Sequence, residues 1–96
     1  MDIRQTIRWA RARLKAMIVD ETDGICECCN RKIGVDMHEV FVRRSALPVS
    51  RQLSIFTRGN CALVCRACHD GPANLEPFKR RFIKRLRRLG HEPFNL

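Results

Sequence analysis

No stretch of about 20 apolar residues occurs in this chain, which argues against a membrane-spanning helix. No apolar run of signal-peptide length follows Met1 either; Arg4, Arg8, Arg11 and Arg13 interrupt the first turns. Acidic residues are few. Ten Asp and Glu stand against 19 Lys and Arg, and the formal net charge is +9. That imbalance favours a polyanionic partner, nucleic acid before an anionic membrane. Trp9 is the single tryptophan and nothing resembles a base-reading module, so nucleic-acid binding is expected to follow phosphates, with little sequence preference and steep salt dependence. There is no low-complexity segment and no repeat beyond two C-x2-C pairs. Ninety-six residues make one domain near the lower size limit, where a core often needs a staple of disulfides or metal.

Six cysteines are present. With no secretory signal in view, a cytoplasmic chain with reduced thiols is expected, and paired C-x2-C spacings then favour zinc over disulfides. Cys26 and Cys29, with Cys65 and Cys68, supply the four thiolates of a closed tetrahedral structural Zn2+ site. Cys28 is the odd member of the knuckle at 25–34 and is read as a packing residue; Cys61 receives no role. Metal bound here would be part of the folding free energy.

The elements follow from periodicity. From Asp2 to about Val19, Ile3, Ile7, Ala10, Leu14 and Met17 share one helical face, while Arg4, Arg8, Arg11 and Lys15 share another. That basic face is either solvated or rests on phosphates. Asp2 is placed to cap the helix and Gly24 to turn the chain after it. Val35 to Val42 reads as a strand, with Val35, Met37 and Glu39 facing one way and Asp36, His38, Val40 and Val42 the other. An irregular segment from Ala46 to Gly59 holds a helical turn around Ser50 to Phe56. Cys61 to Val64 reads as a second strand, and Arg66 to about Gly71 as a short helix. Pro77 opens a final helix whose apolar residues Phe78, Phe82, Leu86 and Leu89 line one face; Gly90 ends it and Pro93 bars continuation. The organisation expected is an N-terminal helix at 1–20, a zinc-clamped core at 25–75, and a basic helix with a tail at 76–96.

Within that core, His38 on the strand, Asn60 before the second strand and His69 after Cys68 can converge on a second, open metal site, to which Asn60 would bring an oxygen suited to Mg2+ or Mn2+. His69 is also a fifth candidate for the zinc. Arg43 and Arg44 lie just beyond the strand, placed to grip phosphates, and Arg58, Arg81, Lys84, Arg85 and Arg88 add to the cationic surface.

The order C-x2-C, then H-E-V-F-V-R from His38 to Arg43, then N-x4-C-x2-C-H from Asn60 to His69, resembles the HNH endonuclease family. The likeness covers roughly residues 25 to 75. It implies an α+β fold: a small zinc-stabilised ββα-metal (His-Me finger) core, here flanked by N-terminal and C-terminal basic helices. It implies phosphodiester hydrolysis of DNA with one divalent ion, Mg2+ or Mn2+, with Zn2+ or Ni2+ as substitutes, acting as a nickase or an endonuclease. His38, Glu39, Asn60 and His69 would form the catalytic set, and His38, Asn60 and His69 would hold the ion. Small basic proteins of this type resemble those of phage genomes, where they accompany DNA-packaging genes. The partners implied are therefore DNA and packaging (terminase or portal) proteins, in the host cytoplasm, with a monomer or homodimer as the working form.

The family's usual first-strand pair is His-His or Asp-His, a metal ligand followed by the general base. Aligning Arg43 with the arginine that often follows this strand gives His38 the first role and Glu39 the second. If His38 is instead the base, Met37 precedes it and cannot ligate a hard metal. A family histidine four residues after His69 is Ala73 here. A catalytically inactive, zinc-stabilised DNA-binding module, or one that docks a packaging partner through the Phe78/Phe82/Leu86 face, is the alternative.

Overall fold

A computed structural model describes residues 2–94. Helix α1 runs Ile3–Thr22. The Asp2 carboxylate accepts from the Gln5 backbone N–H at 2.9 Å, and Gln5 Oε1 accepts from the Asp2 N–H at 3.1 Å. This capping box satisfies two donors that helix geometry leaves without partners. Asp23 and Gly24 both adopt left-handed conformations (φ 56° and 74°), and the Gly24 N–H returns to the Val19 carbonyl. The buried stripe of α1 is Ile7, Leu14, Ile18 and Thr22, with Arg11 half-buried among them. The expected stripe drifts off this face: Ile3 and Met17 are 43% and 60% exposed. Strict four-then-three steps average 3.5 residues per turn, and a straight helix of 3.6 carries the core contact on to Ile18.

Strands β1 (Asp36–Glu39) and β2 (Cys61–Val64) pair antiparallel, with His38 opposite Ala62 and Met37 opposite Leu63. Helices α2 (Val49–Gln52), α3 (Arg66–His69) and α4 (Glu76–Arg88) complete the regular structure. The result is a small α+β fold, with two strands and four α-helical segments among the described residues. No described helix is long and apolar enough to cross a membrane.

The two faces of β2 build two cores. Ala62 and Val64 face a cluster with Val40, Phe78, Phe82, Leu86 and the zinc-motif cysteines. Cys61 and Leu63 face a cluster with Ile7, Leu14, Ile18, Met37, Ile55 and Phe56. The sheet is thus sandwiched between α4 and α1, which is why β2 is an unbroken apolar run, buried on both sides. The Phe78/Phe82/Leu86 face is buried in the core and is not a docking surface.

β1 is shorter than the expected span of Val35 to Val42 because Asn60 takes over the pairing. The Val40 N–H donates to the Asn60 carbonyl, and the Phe41 and Val42 N–H groups both donate to Asn60 Oδ1 at 2.9 Å. The C-terminal segment docks rather than frays: the Phe94 N–H donates to the Gly59 carbonyl at 3.1 Å. A Cβ at Gly59 would collide with the backbone of Glu92 to Phe94, so glycine permits this approach. The remainder of the tail, Asn95 and Leu96, lies outside the described residues.

An ionic knot joins these layers. The Glu27 side chain is fully buried in the knuckle, accepting from both terminal nitrogens of Arg58 (3.1 and 2.7 Å), from Arg85 Nε (2.6 Å) and from the Leu63 N–H (2.9 Å). Arg58 also donates to Glu21 on α1 at 2.8 Å and lies over the Phe82 ring. Burial would lower the Arg58 pKa, but the Glu27 and Glu21 carboxylates outweigh it and raise it. A buried charge stripped of its partner is costly, so Glu27→Ala should lower the unfolding free energy of the metal-loaded protein by about 3–5 kcal/mol. A denaturant titration giving less than about 1 kcal/mol would show that the knot is dispensable.

Candidate functional site

The knuckle is prepared for metal by its backbone. Ile25 and Ile33 form an isolated antiparallel bridge, and Asn30 (φ 58°) turns the chain between them. This folds the N–H groups of Cys28 and Cys29 toward Cys26 Sγ, each at 3.4 Å. On the other side, Cys65 stands at the residue preceding α3 and Cys68 lies within it. The ligand atoms of Cys26, Cys29, Cys65 and Cys68 all lie within 4.8 Å of one another. Tetrahedral Zn–S bonds of about 2.3 Å place sulfurs about 3.8 Å apart, so a slight contraction closes the shell. Backbone N–H groups of Lys32 and Arg31 stabilise the Cys29 thiolate and pull its pKa down to about 6. Four clustered thiols with a donor-rich backbone can hold a metal ion and suit Zn2+.

The remaining cysteines differ. Cys28 is buried beside this cluster but is not one of its four ligands, and burial pushes its thiol pKa up. Cys61 lies in the α1-facing core, where burial raises its pKa to about 12 and keeps it a neutral packing residue.

Next to the cluster, β1 and α3 bring two histidines together. The His38 and His69 rings meet edge to face with centroids 5.2 Å apart. They border a cleft of about 460 Å3, also lined by Arg11, Glu39, Arg43, Arg44, Asp70 and Asn74. His38 is only 4% exposed, and its Nε2 lies 3.0 Å from the Ala73 carbonyl. A carbonyl only accepts, so Nε2 carries the proton and Nδ1 holds the lone pair of the neutral ring. Burial lowers the His38 pKa more than the Ala73 hydrogen bond raises it, and His69 and Arg43 lower it further. His69 Nδ1 donates to Asp36 Oδ2 at 3.0 Å, which leaves Nε2 as the ring nitrogen without a partner among the described residues. Each imidazole therefore has one nitrogen oriented by the protein and one left for chemistry.

The other expected site residues separate. Glu39 lines the cleft, but its Oε1 also accepts a close hydrogen bond from the Arg44 N–H, so the carboxylate caps the turn at Arg44–Ala46. Asn60 is a correction. It is fully buried and is not among the cleft-lining residues; Oδ1 accepts from two N–H groups, and Nδ2 donates to the Val42 and Ile55 carbonyls. With both ends of its amide satisfied, Asn60 ties the loop after β1 to the turn before β2 and has no capacity for an ion. Arg58 is likewise reassigned from the cationic surface to the buried knot with Glu27. Arg43 and Arg44 lie at the cleft, where Arg43 donates to Asn74 Oδ1 at 2.7 Å. Arg81, Lys84, Arg85 and Arg88 border a separate depression on α4 that shares no lining residue with the cleft, and Arg85 is paired to Glu27 there.

Asp36 was not foreseen as a site residue. Its placement two positions before His38 on one strand face was legible; its pairing with His69 and with Arg66 Nε (2.8 Å) required the fold. The Ala73 carbonyl carries no sequence signal at all. Among the described residues the four cysteines are the one group of three or more converging metal-ligand side chains. Comparison with family models, with curated proteins and with solved structures returned no match.

The purified chain should carry a single zinc, retained in Cys28→Ala and lost in Cys65→Ala, as read by elemental analysis. Metal binding to such sites is worth about 10 kcal/mol or more, comparable with the whole stability of a small domain. A strong chelator should therefore unfold the protein by circular dichroism; a metal-free chain that keeps its native spectrum would remove zinc from the fold.

Proposed function

We propose that this chain is a divalent-metal-dependent DNA endonuclease or nickase of HNH type, with little sequence preference. The observation that carries the reading is the pairing of His38 with His69 at a cationic cleft, braced by the four-cysteine cluster. Two neighbouring imidazoles with opposite nitrogens free suit a general base and a metal ligand. The HNH likeness in the sequence points the same way.

The roles divide as follows. His38 Nδ1 takes the proton of the attacking water, and the Ala73 carbonyl stabilises the imidazolium as it forms. His69 would hold a divalent ion through Nε2, with Asp36 orienting the ring through the other nitrogen. Such an ion supplies charge neutralisation at the phosphate and at the departing oxygen. Arg43 and Arg44 hold the phosphates on either side. Glu39 shapes the loop that carries Arg44, and His38 is preferred to it as the base because the Glu39 carboxylate is already bonded to the Arg44 N–H.

One observation favours a second reading, a zinc-stabilised DNA-binding module without catalysis: beyond the cysteines, no group of three or more ligands converges among the described residues. Plasmid nicking with Mg2+ or Mn2+ separates the two. The wild type should nick, His38→Ala should lose about 10^2- to 10^4-fold in rate while keeping its zinc, and Glu39→Ala should lose far less. If Glu39→Ala is the dead variant and His38→Ala is active, the base is Glu39. If none cuts but all bind DNA in a salt-dependent way, the chain is a binding module.

The pH profile follows from the sign of the His38 shift. Its pKa is lowered from the ordinary value of about 6.5, so the basic form prevails at neutral pH. The nicking rate should hold across neutral pH, with the midpoint of its acid decline below about 6.5. A rate already falling between pH 8 and 7 would exclude His38 as the base.

A further inference from the structure

Arg11 is placed unlike any other arginine of the chain. Its Nε is buried and has no hydrogen-bond partner among the described residues, although a buried guanidinium nitrogen ordinarily finds one. Its guanidinium lies over the Phe56 ring, 5.6 Å from the centroid. This stacking supports the group from the core side and fixes its plane. Arg11 lines the cleft that holds His38 and His69. It also lines a second depression of about 290 Å3, formed with Arg8, Lys15, Asp36, Met37 and His69. Arg11, Met37 and His69 therefore belong to both, and the two depressions adjoin across them.

The cationic groups are arranged along this pair of depressions. Arg43 and Arg44 border the first, Arg8 and Lys15 border the second, and Arg11 stands between. The acidic groups at the same surface are Asp36, Glu39 and Asp70. Asp36 is matched by Arg66 and His69, and Glu39 by the Arg44 N–H. On α4 the Arg85 guanidinium is bonded to Glu27 and Arg81 donates to the Cys28 carbonyl, and on α1 Lys15 Nζ donates to the Val35 carbonyl at 2.7 Å.

We infer that α1 forms one wall of the substrate groove, with Arg11 bonding a backbone phosphate beside the histidine pair and Arg8 and Lys15 following the strand beyond it. The inference rests on the DNA-cleaving reading of the cleft and extends it to an element outside the segment that carries the HNH likeness. Because Nε is shut off from solvent, the groups Arg11 offers at the cleft are its two terminal nitrogens, which can donate two bonds at once to phosphate oxygens. The ligand class is thus a phosphodiester backbone, read by charge and not by base.

The test is binding of a fluorescent DNA duplex to the zinc-loaded full chain without catalytic metal, followed by anisotropy across a salt series. Arg11→Ala and Arg8→Ala are compared with Lys84→Ala and Arg88→Ala on α4. Arg8 is exposed, so its variant should fold even if loss of the Arg11 stacking loosens α1. Arg11→Ala should weaken binding about tenfold, Arg8→Ala less, and each should reduce the slope of log K against log salt by about 1. The α4 variants should change neither. If α4 variants lose affinity and α1 variants do not, the groove wall is wrongly placed and the inference falls, while the nuclease reading stands. If the wild type binds no DNA at any salt, both fall together. If Arg11→Ala binds normally and only unfolds more readily, its guanidinium is a packing group and the inference is overturned.

Discussion

Four sulfur atoms within 4.8 Å of one another are the constraint on which the rest of this structure depends. Cys26 and Cys29 lie almost 40 residues before Cys65 and Cys68, so their meeting closes a loop that holds β1, the segment with α2, and β2. Closing such a loop costs chain entropy that a core of this size can scarcely offset, and metal–thiolate bonding is the strongest available source. The ionic knot has the same centre. Glu27 sits between two of the cysteines, and its carboxylate reaches α4 through Arg85 and the end of α1 through Arg58. The cysteine cluster and the ion pairs therefore meet at the same junction.

The histidine pair depends on that junction. His69 follows Cys68 directly, so the turn of α3 that carries one imidazole is set by the cluster. His38 is positioned from the opposite side, by pairing with Ala62 and by the Ala73 carbonyl. Neither ring is oriented by the other. Each ring instead has one nitrogen engaged by another part of the chain, the arrangement that the proposed division into base and ligand would require.

Much of the fold was legible in the residues. β2 falls on its expected residues, α4 begins where Pro77 demands, and the Asp2 cap is formed as its position suggested. The knuckle could be read because C-x2-C spacing constrains local backbone. The misreadings have a shared cause. Asn60 and Arg58 are polar residues whose type suits both surface chemistry and buried structure. Their partners lie on other elements, the loop after β1 for Asn60 and Glu27 and Glu21 for Arg58. Periodicity cannot distinguish a guanidinium that faces solvent from one that closes an ion pair.

By itself the sequence determined most of the elements, though not the end of β1, together with the cysteine set and the adjacency of His69 to that set, because each depends on contacts within a few residues or on a spacing imposed by ligand geometry. Tertiary structure alone decided the rest. It made Asn60 a tether, buried Arg58, oriented the two imidazoles through Asp36 and Ala73, and left Arg11 Nε without a partner among the described residues. Those outcomes are matters of direction and burial, and a side chain acquires both only when elements distant in the chain pack against it.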